Sequence, residues 1–356
     1  MVTESKFELE TSMICLNKKN AIKAFFNHHG IMQKTVMVAL LFVLSLWMYA
    51  CERQDEIPLL QDHFVTLPNG DVMHYLETGN PDGKPILFVH GYPTSAFLYR
   101  NIITRIAPDE NSPYRCISIS HIGFGKSSCP GDGSIISPLY EVDRLEEFIE
   151  LMNLDNFAAV IHDWGGPIGA AATLRQSDRM SHLIILNTML AFPEISFLDL
   201  ESIMGFTNGF FSQPRPLIEM VYPDAVKGAM QLLSTSVMSD AVLETYAEPF
   251  RGTDDECKCK IRAGINLFSK AHTEIAIFEE IKENAVAKWS DKPAVFLWGT
   301  NDPLLGAITG IGIDAHKAME SIFPQAETMR IKGASHFMQE DKPDEIADRI
   351  IEFIEL

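Results

Sequence analysis

Downstream of about residue 62, short apolar runs alternate with longer stretches in which apolar residues recur at helical spacing. We predict strands for the apolar runs and helices for the longer stretches. The predicted strands are His63–Leu67, Val72–Leu76, Pro85–His90, Cys116–Ser120, Phe157–His162, Leu183–Asn187, Ala294–Trp298 and Thr328–Ile331. The predicted helices are Ala96–Ile106, Leu139–Leu151, Gly166–Gln176 and Asp344–Ile354. This alternation is typical of an α/β fold with a mostly parallel, doubly wound sheet.

Two segments interrupt the alternation. Asn69-Gly70 separates the first two strands, and Asn-Gly between alternating runs is typical of a tight antiparallel hairpin. Between about residues 190 and 287 no strand run is found. We interpret this stretch as a helical cap over the carboxyl ends of the strands, where ligands bind in open α/β sheets. The prediction is therefore one folded unit over residues 62–356, with the cap as an insertion.

Composition limits the classes of protein to which the chain can belong. Its 356 residues are 46% hydrophobic and 22% charged. These values are typical of a folded globular protein and exclude a disordered chain, a collagen-like repeat or a protein with many membrane spans. Asp and Glu outnumber Lys and Arg by 48 to 29, and the net charge is −19. Since such a chain without a basic patch repels phosphate backbones, we expect no nucleic-acid partner.

The first 50 residues differ from the rest. Val36–Ala50 carries no charge; it is short for a membrane span but suits the apolar region of a secretory signal. Ala50-Cys51 at its end is similar to a bacterial lipoprotein site, in which Cys51 would be lipidated. We expect residues 1–50 to target or anchor the chain, and 51–61 to be a linker. The protein would then be exported, membrane-anchored or periplasmic; an uncleaved anchor, a tail without function and a cytoplasmic protein are the alternatives.

Asp163 is the first candidate catalytic residue. The apolar strand Phe157–His162 stops at Asp163-Trp164-Gly165-Gly166, and a helix of small residues follows. Such a turn is typical of a nucleophile elbow, which exposes one side chain above the sheet edge at a helix N-terminus that favours an anion. A carboxylate in this position attacks carbon without a base and then carries a covalent ester. The alternative is that Asp163 only caps the helix.

A second candidate loop, His90-Gly91-Tyr92, directly follows a buried strand. In an elbow of this kind, one backbone N–H of this loop and the N–H that follows the nucleophile form an oxyanion hole. The predicted donors are therefore Tyr92 and Trp164. His90 is then a buried structural residue and not a base.

Two further candidates lie near the C-terminus. Asp302 and His336 each come just after a predicted strand, so that the chain order is nucleophile, acid, histidine. An acid that orients a histidine provides a general base for water. Because Asp, His and water suffice for such a reaction, no metal or organic cofactor is implied.

Together these segments resemble the α/β-hydrolase fold, in the branch that holds haloalkane dehalogenases and epoxide hydrolases. The resemblance covers about residues 62–356 and is most specific at His162–Gly166. It implies that Asp163 expels a halide to give an alkyl ester, and that His336, oriented by Asp302, activates the water that hydrolyses the ester. The substrate would be a small apolar molecule held under the cap.

The resemblance leaves recognition of the halide incomplete. It implies that the indole N–H of Trp164 points at the leaving halide. In that family the second donor is a Trp of the cap or an Asn just after His-Gly. Here Tyr92 follows His-Gly, and none of the four tryptophans lies inside the cap.

Epoxide hydrolases share the same three residues but also use two cap tyrosines, which protonate the epoxide oxygen. The cap tyrosines here are Tyr222 and Tyr246, and Tyr246 lies in a segment similar to dehalogenases, where it looks structural. Phe210 or Phe211 and Phe268 stand where the family's pair is expected. The resemblance thus favours carbon–halogen hydrolysis over epoxide opening. A third alternative is a protein that binds an apolar ligand without turnover.

The six cysteines are too few for a disulfide scaffold. Whether Cys116, Cys129, Cys257 and Cys259 form disulfides depends on the compartment. The sequence gives no indication of the oligomeric state.

Overall fold

The computed structural model describes residues 57–190, 215–252, 254–270, 276–304 and 323–355. The predicted N-terminal segment 1–50 with Cys51 lies outside these ranges, as do Phe210 and Phe211. The described residues are organised around one eight-stranded sheet.

The strands lie where the apolar runs predict them. They are β1 (Asp62–Thr66), β2 (Val72–Gly79), β3 (Lys84–Val89), β4 (Tyr114–Ile119), β5 (Phe157–His162), β6 (Met180–Leu186), β7 (Ala294–Gly299) and β8 (Glu327–Ile331). Their order across the sheet is β1-β2-β4-β3-β5-β6-β7-β8. The pairs β1–β2 and β2–β4 are antiparallel and all other pairs are parallel. The prediction of a mostly parallel sheet is confirmed.

The predicted hairpin joins β1 to β2. In its register Thr66 pairs with Val72. The backbone N–H of Leu67 donates to the carbonyl oxygen of Asp71 at 2.8 Å. Gly70 closes the turn with φ of 93°, a conformation that glycine adopts without a steric penalty.

Helices cover both faces of the sheet. The described α-helices are α1 (Arg100–Ile106), α2 (Pro138–Leu151), α3 (Gly165–Arg175), α4 (Arg215–Leu232), α5 (Asp240–Ala247), α6 (Asp255–Ser269), α7 (Ala276–Trp289), α8 (Met338–Asp341) and α9 (Pro343–Ile354). All residues of β5 and β7 are buried, and because successive side chains of a strand point to opposite faces, neither face is open. α1 packs on α9, whereas α3 packs on α2 and α7.

Four of the helices, α4 to α7, lie between β6 and β7 in the sequence. α4 packs on α5 and contacts α6, whereas α7 packs on α3 of the layer that covers the sheet. We therefore refer to α4, α5 and α6 as the cap helices. Within the described ranges no helix is both long and apolar enough to cross a membrane.

Candidate active site

The tight turn between β5 and α3 exposes Asp163 above the sheet edge. Asp163 has φ of 50°, in the left-handed region that residues other than glycine seldom adopt. Two glycines allow this turn to pack closely on the loop after β3: a Cβ on Gly91 would lie 2.2 Å from Oδ1 of Asp163, and one on Gly165 would lie 2.4 Å from the carbonyl oxygen of His90. α3 begins without a side-chain cap. The carboxylate of Asp163 is therefore engaged elsewhere.

His336 lies between Asp163 and a second carboxylate. Its Nε2 is 3.3 Å from Oδ2 of Asp163, and its Nδ1 is 2.9 Å from Oδ2 of Asp302. Only 2% of His336 and 7% of Asp302 is exposed to solvent. The ends of β5, β7 and β8 thus bring together the three residues that the sequence predicts for the triad.

The charges of this group determine its protonation. Burial alone would lower the pKa of His336, but the carboxylates of Asp302 and Asp163 raise it to about 10. Burial would likewise raise the pKa of Asp163, yet the neighbouring His336 lowers it below its ordinary value. Before any reaction the site therefore holds an ionised Asp163 next to a protonated imidazole.

The predicted oxyanion donors lie at the carboxylate of Asp163. The backbone N–H of Tyr92 donates to Oδ1 at 2.7 Å. A hydrogen bond from the backbone N–H of Trp164 also contributes to the lowered pKa of Asp163. Since Oδ1 accepts from Tyr92 while Oδ2 faces His336, the two oxygens of the Asp163 carboxylate have different surroundings.

Two buried histidines, His90 and His121, form hydrogen bonds that hold the backbone of the Tyr92 loop. Nδ1 of His90 donates to the carbonyl oxygen of Gly91 at 2.7 Å, and Nε2 accepts from the backbone N–H of His121 at 3.0 Å. The side chain of His121 returns a bond to the His90 carbonyl oxygen at 2.9 Å. Complete burial keeps the pKa of His90 well below its ordinary value. His90 is thus a neutral structural residue, as the sequence suggests.

Three polar residues to which the sequence analysis assigns no role fix the triad loops. The amide of Asn187, at the end of β6, donates to the carbonyl oxygens of Ser335 and His336 at 2.8 and 3.2 Å. The hydroxyl of Thr188 donates to the backbone oxygen of Asp163 at 2.6 Å. Nε2 of His162 lies 2.9 Å from the His336 carbonyl oxygen. Their common signal is a polar residue at the carboxyl end of an apolar strand.

The two cap tyrosines have different partners. The hydroxyl of Tyr222, on α4, lies 2.6 Å from the hydroxyl of Tyr92. The hydroxyl of Tyr246, on α5, donates to the buried carboxylate of Glu340. Glu340 also accepts from Nη2 of the buried Arg100 at 2.9 Å. Tyr246 is therefore a structural residue, whereas Tyr222 is in contact with Tyr92.

A disulfide attaches the third cap helix. Cys129, in the loop after β4, is bonded to Cys259 of α6, while Cys116 and Cys257 are free and buried. Nζ of Lys260 also donates to the carbonyl oxygen of Gly125 at 2.9 Å.

Among the described residues no group of three or more His, Cys, Asp and Glu is placed to hold a metal ion. The site can thus supply a nucleophile, a base and oriented donors.

Known proteins share this architecture. The family model described as alpha/beta hydrolase fold matches residues 84–343. A haloalkane dehalogenase of Mycolicibacterium paratuberculosis is 30% identical over 280 residues, which is 78% of this chain and 86% of that protein. A cis-3-alkyl-4-alkyloxetan-2-one decarboxylase of Xanthomonas campestris is 28% identical over 298 residues, 80% of this chain and 93% of that protein. The structure of the epoxide hydrolase CorEH is similar in fold, with a TM-score of 0.66 at 19% identity over 83% of this chain and 99% of that chain.

Proposed function

The chain belongs to the α/β-hydrolase fold family, in the branch of haloalkane dehalogenases and epoxide hydrolases, and on that premise we propose that it hydrolyses small apolar substrates through a covalent ester on Asp163. The reaction that we place first is hydrolysis of a carbon–halogen bond. One observation carries the proposal: a carboxylate on an elbow turn, 3.3 Å from a histidine that a second carboxylate orients.

The first step is displacement at carbon. Asp163 is ionised, because its pKa is lowered, and Oδ1 is held by the N–H of Tyr92. Oδ2 then attacks the substrate carbon and forms the ester bond, while the carbon–halogen bond breaks and the halide leaves with the electron pair. The indole N–H of Trp164 is the proposed donor to the departing halide.

The second step is hydrolysis of the ester. Ester formation removes the charge of Asp163, which is one of the two charges that raise the pKa of His336. The pKa then falls, and the imidazolium releases its proton to solvent. The neutral imidazole, still held by Asp302, can accept the proton of a water that attacks Cγ of Asp163. Negative charge develops on Oδ1, where the N–H of Tyr92 already points. The Cγ–Oδ2 bond breaks, and the alkoxide takes the proton from His336 and leaves as the alcohol. The acid proton of Asp163 then passes to His336, so that the carboxylate and the imidazolium are restored.

The relatives support the choice of reaction. A haloalkane dehalogenase is among the most similar relatives, which favours halide as the leaving group. Epoxide opening is the second candidate, because Tyr222 and Tyr92 bring two phenol hydroxyls together. A protein that only binds an apolar ligand has no need of an assembled nucleophile, acid and base, so we rank that alternative last.

Isotope labelling in a single turnover tests the covalent ester. With enzyme in excess over 1-bromobutane in oxygen-18 water, attack of water on Cγ should place one heavy oxygen in Asp163, about 2 Da in the peptide that contains it. Asp163→Asn, which retains a residue tolerant of the left-handed turn, should neither release bromide nor gain label. Bromide release without label in Asp163 would exclude the ester.

We also propose that the protein is exported and that residues 1–50 direct it, with Cys51 as the candidate lipid anchor. The Cys129–Cys259 disulfide supports this proposal, because disulfides persist mainly in oxidising compartments. Mass spectrometry of the N-terminus of protein isolated from its own cells tests it. A chain that begins with lipidated Cys51 is the expected result, and an unmodified Met1 would contradict the anchor.

A further inference from the structure

Two buried imidazoles bind two successive carbonyl groups of the Tyr92 loop, which runs from His90 to Tyr92. Nε2 of His121 lies 2.9 Å from the carbonyl oxygen of His90, and Nδ1 of His90 lies 2.7 Å from that of Gly91. The ring centroids of the two histidines are 4.6 Å apart, and neither residue is more than 1% exposed. Both peptide groups of the loop are therefore fixed by side chains that solvent does not reach.

The groups around the two rings determine where the ring protons lie. Nε2 of His90 accepts from the backbone N–H of His121 at 3.0 Å, so the proton of neutral His90 is on Nδ1. Nε2 of His121 faces a carbonyl oxygen, which can only accept, so this nitrogen also carries a proton. Each carbonyl of the loop thus receives a hydrogen bond from the N–H of an imidazole.

Glu141, on α2, holds the far side of the His121 ring. Its Oε2 lies 3.4 Å from Nδ1 of His121 and accepts from the backbone N–H of Ile122 at 3.0 Å. Glu141 is completely buried, and burial raises the pKa of its carboxyl group although His121 acts in the opposite direction. Two bare acceptors at this distance would repel each other, so a proton lies between Glu141 and His121. Glu141 therefore orients His121, as Asp302 orients His336.

The carbonyl of Gly91 and the N–H of Tyr92 belong to one peptide group. The carbonyl accepts from His90, and the N–H donates to Oδ1 of Asp163 at 2.7 Å. A hydrogen bond to the carbonyl of an amide strengthens donation by its N–H, because hydrogen bonds in a chain polarise one another. The direction and the strength of this oxyanion donor therefore depend on the two imidazoles.

We propose that His121, oriented by Glu141, is a positioning residue of the oxyanion hole, which acts through the backbone of the Tyr92 loop. This inference rests on the covalent ester proposed above. Oδ1 of Asp163 gains negative charge when water attacks the ester, whereas displacement removes charge from the carboxylate. An interaction that strengthens only in the transition state of hydrolysis accelerates only that step. His121 should therefore support the second step and not the first.

Two substitutions with side chains of the same length test the proposal. The amide of His121→Gln can still donate to the carbonyl oxygen of His90, whereas His121→Met occupies similar space without a donor. In rapid-quench single turnovers of 1-bromobutane, His121→Met should slow butanol formation by about 10- to 100-fold, less than the about 10²- to 10³-fold cost of losing an oxyanion donor. Bromide release in His121→Met, and both steps in His121→Gln, should stay within about threefold of wild type.

Exchange of the Tyr92 amide proton with solvent is a second measurement, which does not depend on turnover. Followed by NMR in the resting enzyme, it should be about tenfold faster in His121→Met, because the loop then opens more easily, and unchanged in His121→Gln. The matched control is His182→Met, near the amino end of β6, where the imidazole packs edge-on against Phe353 at 5.6 Å. This control should alter neither the two rates nor the exchange.

The inference and the proposed function fail in different ways. If Asp163 gains label from 1-bromobutane but His121→Met hydrolyses the ester at the wild-type rate, the role of His121 is wrong and the covalent ester stands. Equal losses in both steps, or equal losses in His121→Met and His121→Gln, also overturn that role, since a merely structural residue affects them alike. If Asp163 gains no label, the proposed function fails, whereas the exchange of the Tyr92 amide still decides whether His121 positions that N–H.

Discussion

The triad residues at the sheet edge and the cap helices are held in place in different ways. At the sheet edge, Asp163 and His336 are held mainly through their backbone atoms, by the side chains of Thr188, Asn187 and His162. The cap helices are attached mainly by side chains. Those attachments include the Cys129–Cys259 disulfide, the bond from Lys260 to Gly125, the Tyr246–Glu340–Arg100 network and the Tyr92–Tyr222 pair.

The difference separates the residues that carry out the reaction from those that determine which substrates are accepted. Backbone attachment fixes the geometry of the triad whatever side chains the cap presents. Side-chain attachment lets a substitution in the cap change the leaving group or the pocket without moving Asp163. Conversely, a single change at the sheet edge should disable the reaction for every substrate. The predictions below are arranged to test this separation.

The largest effect is expected for His336→Gln. Without the base, hydrolysis of the ester should slow by about 10²- to 10⁴-fold, while displacement at Asp163 continues. Each enzyme molecule should then release one halide and stop, with the alkyl group retained as added mass on the peptide that contains Asp163. Steady turnover with no trapped ester would show that His336 is not the base.

Gly91→Ala should have the second largest effect, because its Cβ would collide with Oδ1 of Asp163. The Tyr92 loop must move away, and loss of an oxyanion donor costs about 10²- to 10³-fold in rate. The rate of ester hydrolysis in a single turnover measures this loss. Gly228→Ala in α4 is the control, since a Cβ there meets nothing within 4 Å. Equal rates for the two variants would contradict the proposed oxyanion hole.

The pH dependence should differ between the two steps. Because the pKa of Asp163 is lowered, halide release in the first turnover should vary less than about twofold from about pH 5 to about pH 9. Ester hydrolysis needs neutral His336 and should fall about tenfold per pH unit on the acid side. Its midpoint should lie below 10, the pKa that two carboxylates give His336 before the ester forms. A flat profile for ester hydrolysis would contradict this mechanism.

The smallest effect on rate is expected at the disulfide. Cys129→Ser removes a link between residues 130 positions apart and should destabilise the protein by about 2 to 5 kcal/mol. The midpoint of urea unfolding measures the loss, and turnover in the folded variant should stay within about threefold. Cys257→Ser is the matched control, because this cysteine is free. Coincident unfolding curves for the two variants would show that the link contributes nothing.

The sequence predicts the sheet edge well because the relevant signals are local. Apolar runs mark the eight strands, and the turn residues that follow them include Asp163, Asp302 and His336. Each of these signals occupies fewer than about ten consecutive residues. The hairpin at Asn69-Gly70 is predicted for the same reason.

The contacts of the cap are not predicted, because they join residues that are distant in the chain. Tyr92 and Tyr222 are separated by 130 positions, as are Cys129 and Cys259. Their pairing depends on how α4 and α6 pack against the loops of the sheet. No local pattern around Tyr222 distinguishes a phenol that meets the oxyanion loop from one, such as Tyr246, that serves an ion pair. The role of Cys51 and of residues 1–50 stays a prediction.

The link between Cys129 and Cys259 also means that the same chain can be prepared in two forms, one with the disulfide and one with both cysteines reduced. Synthesis in a reducing cytoplasm would give the same sheet and the same triad, but with α6 attached only by weaker contacts. The hydroxyls of Tyr92 and Tyr222, against which Gly264 of that helix packs, would then be less firmly confined. The redox state of this disulfide is therefore a variable in any comparison of rates. Free-thiol titration before each assay would identify which form is present.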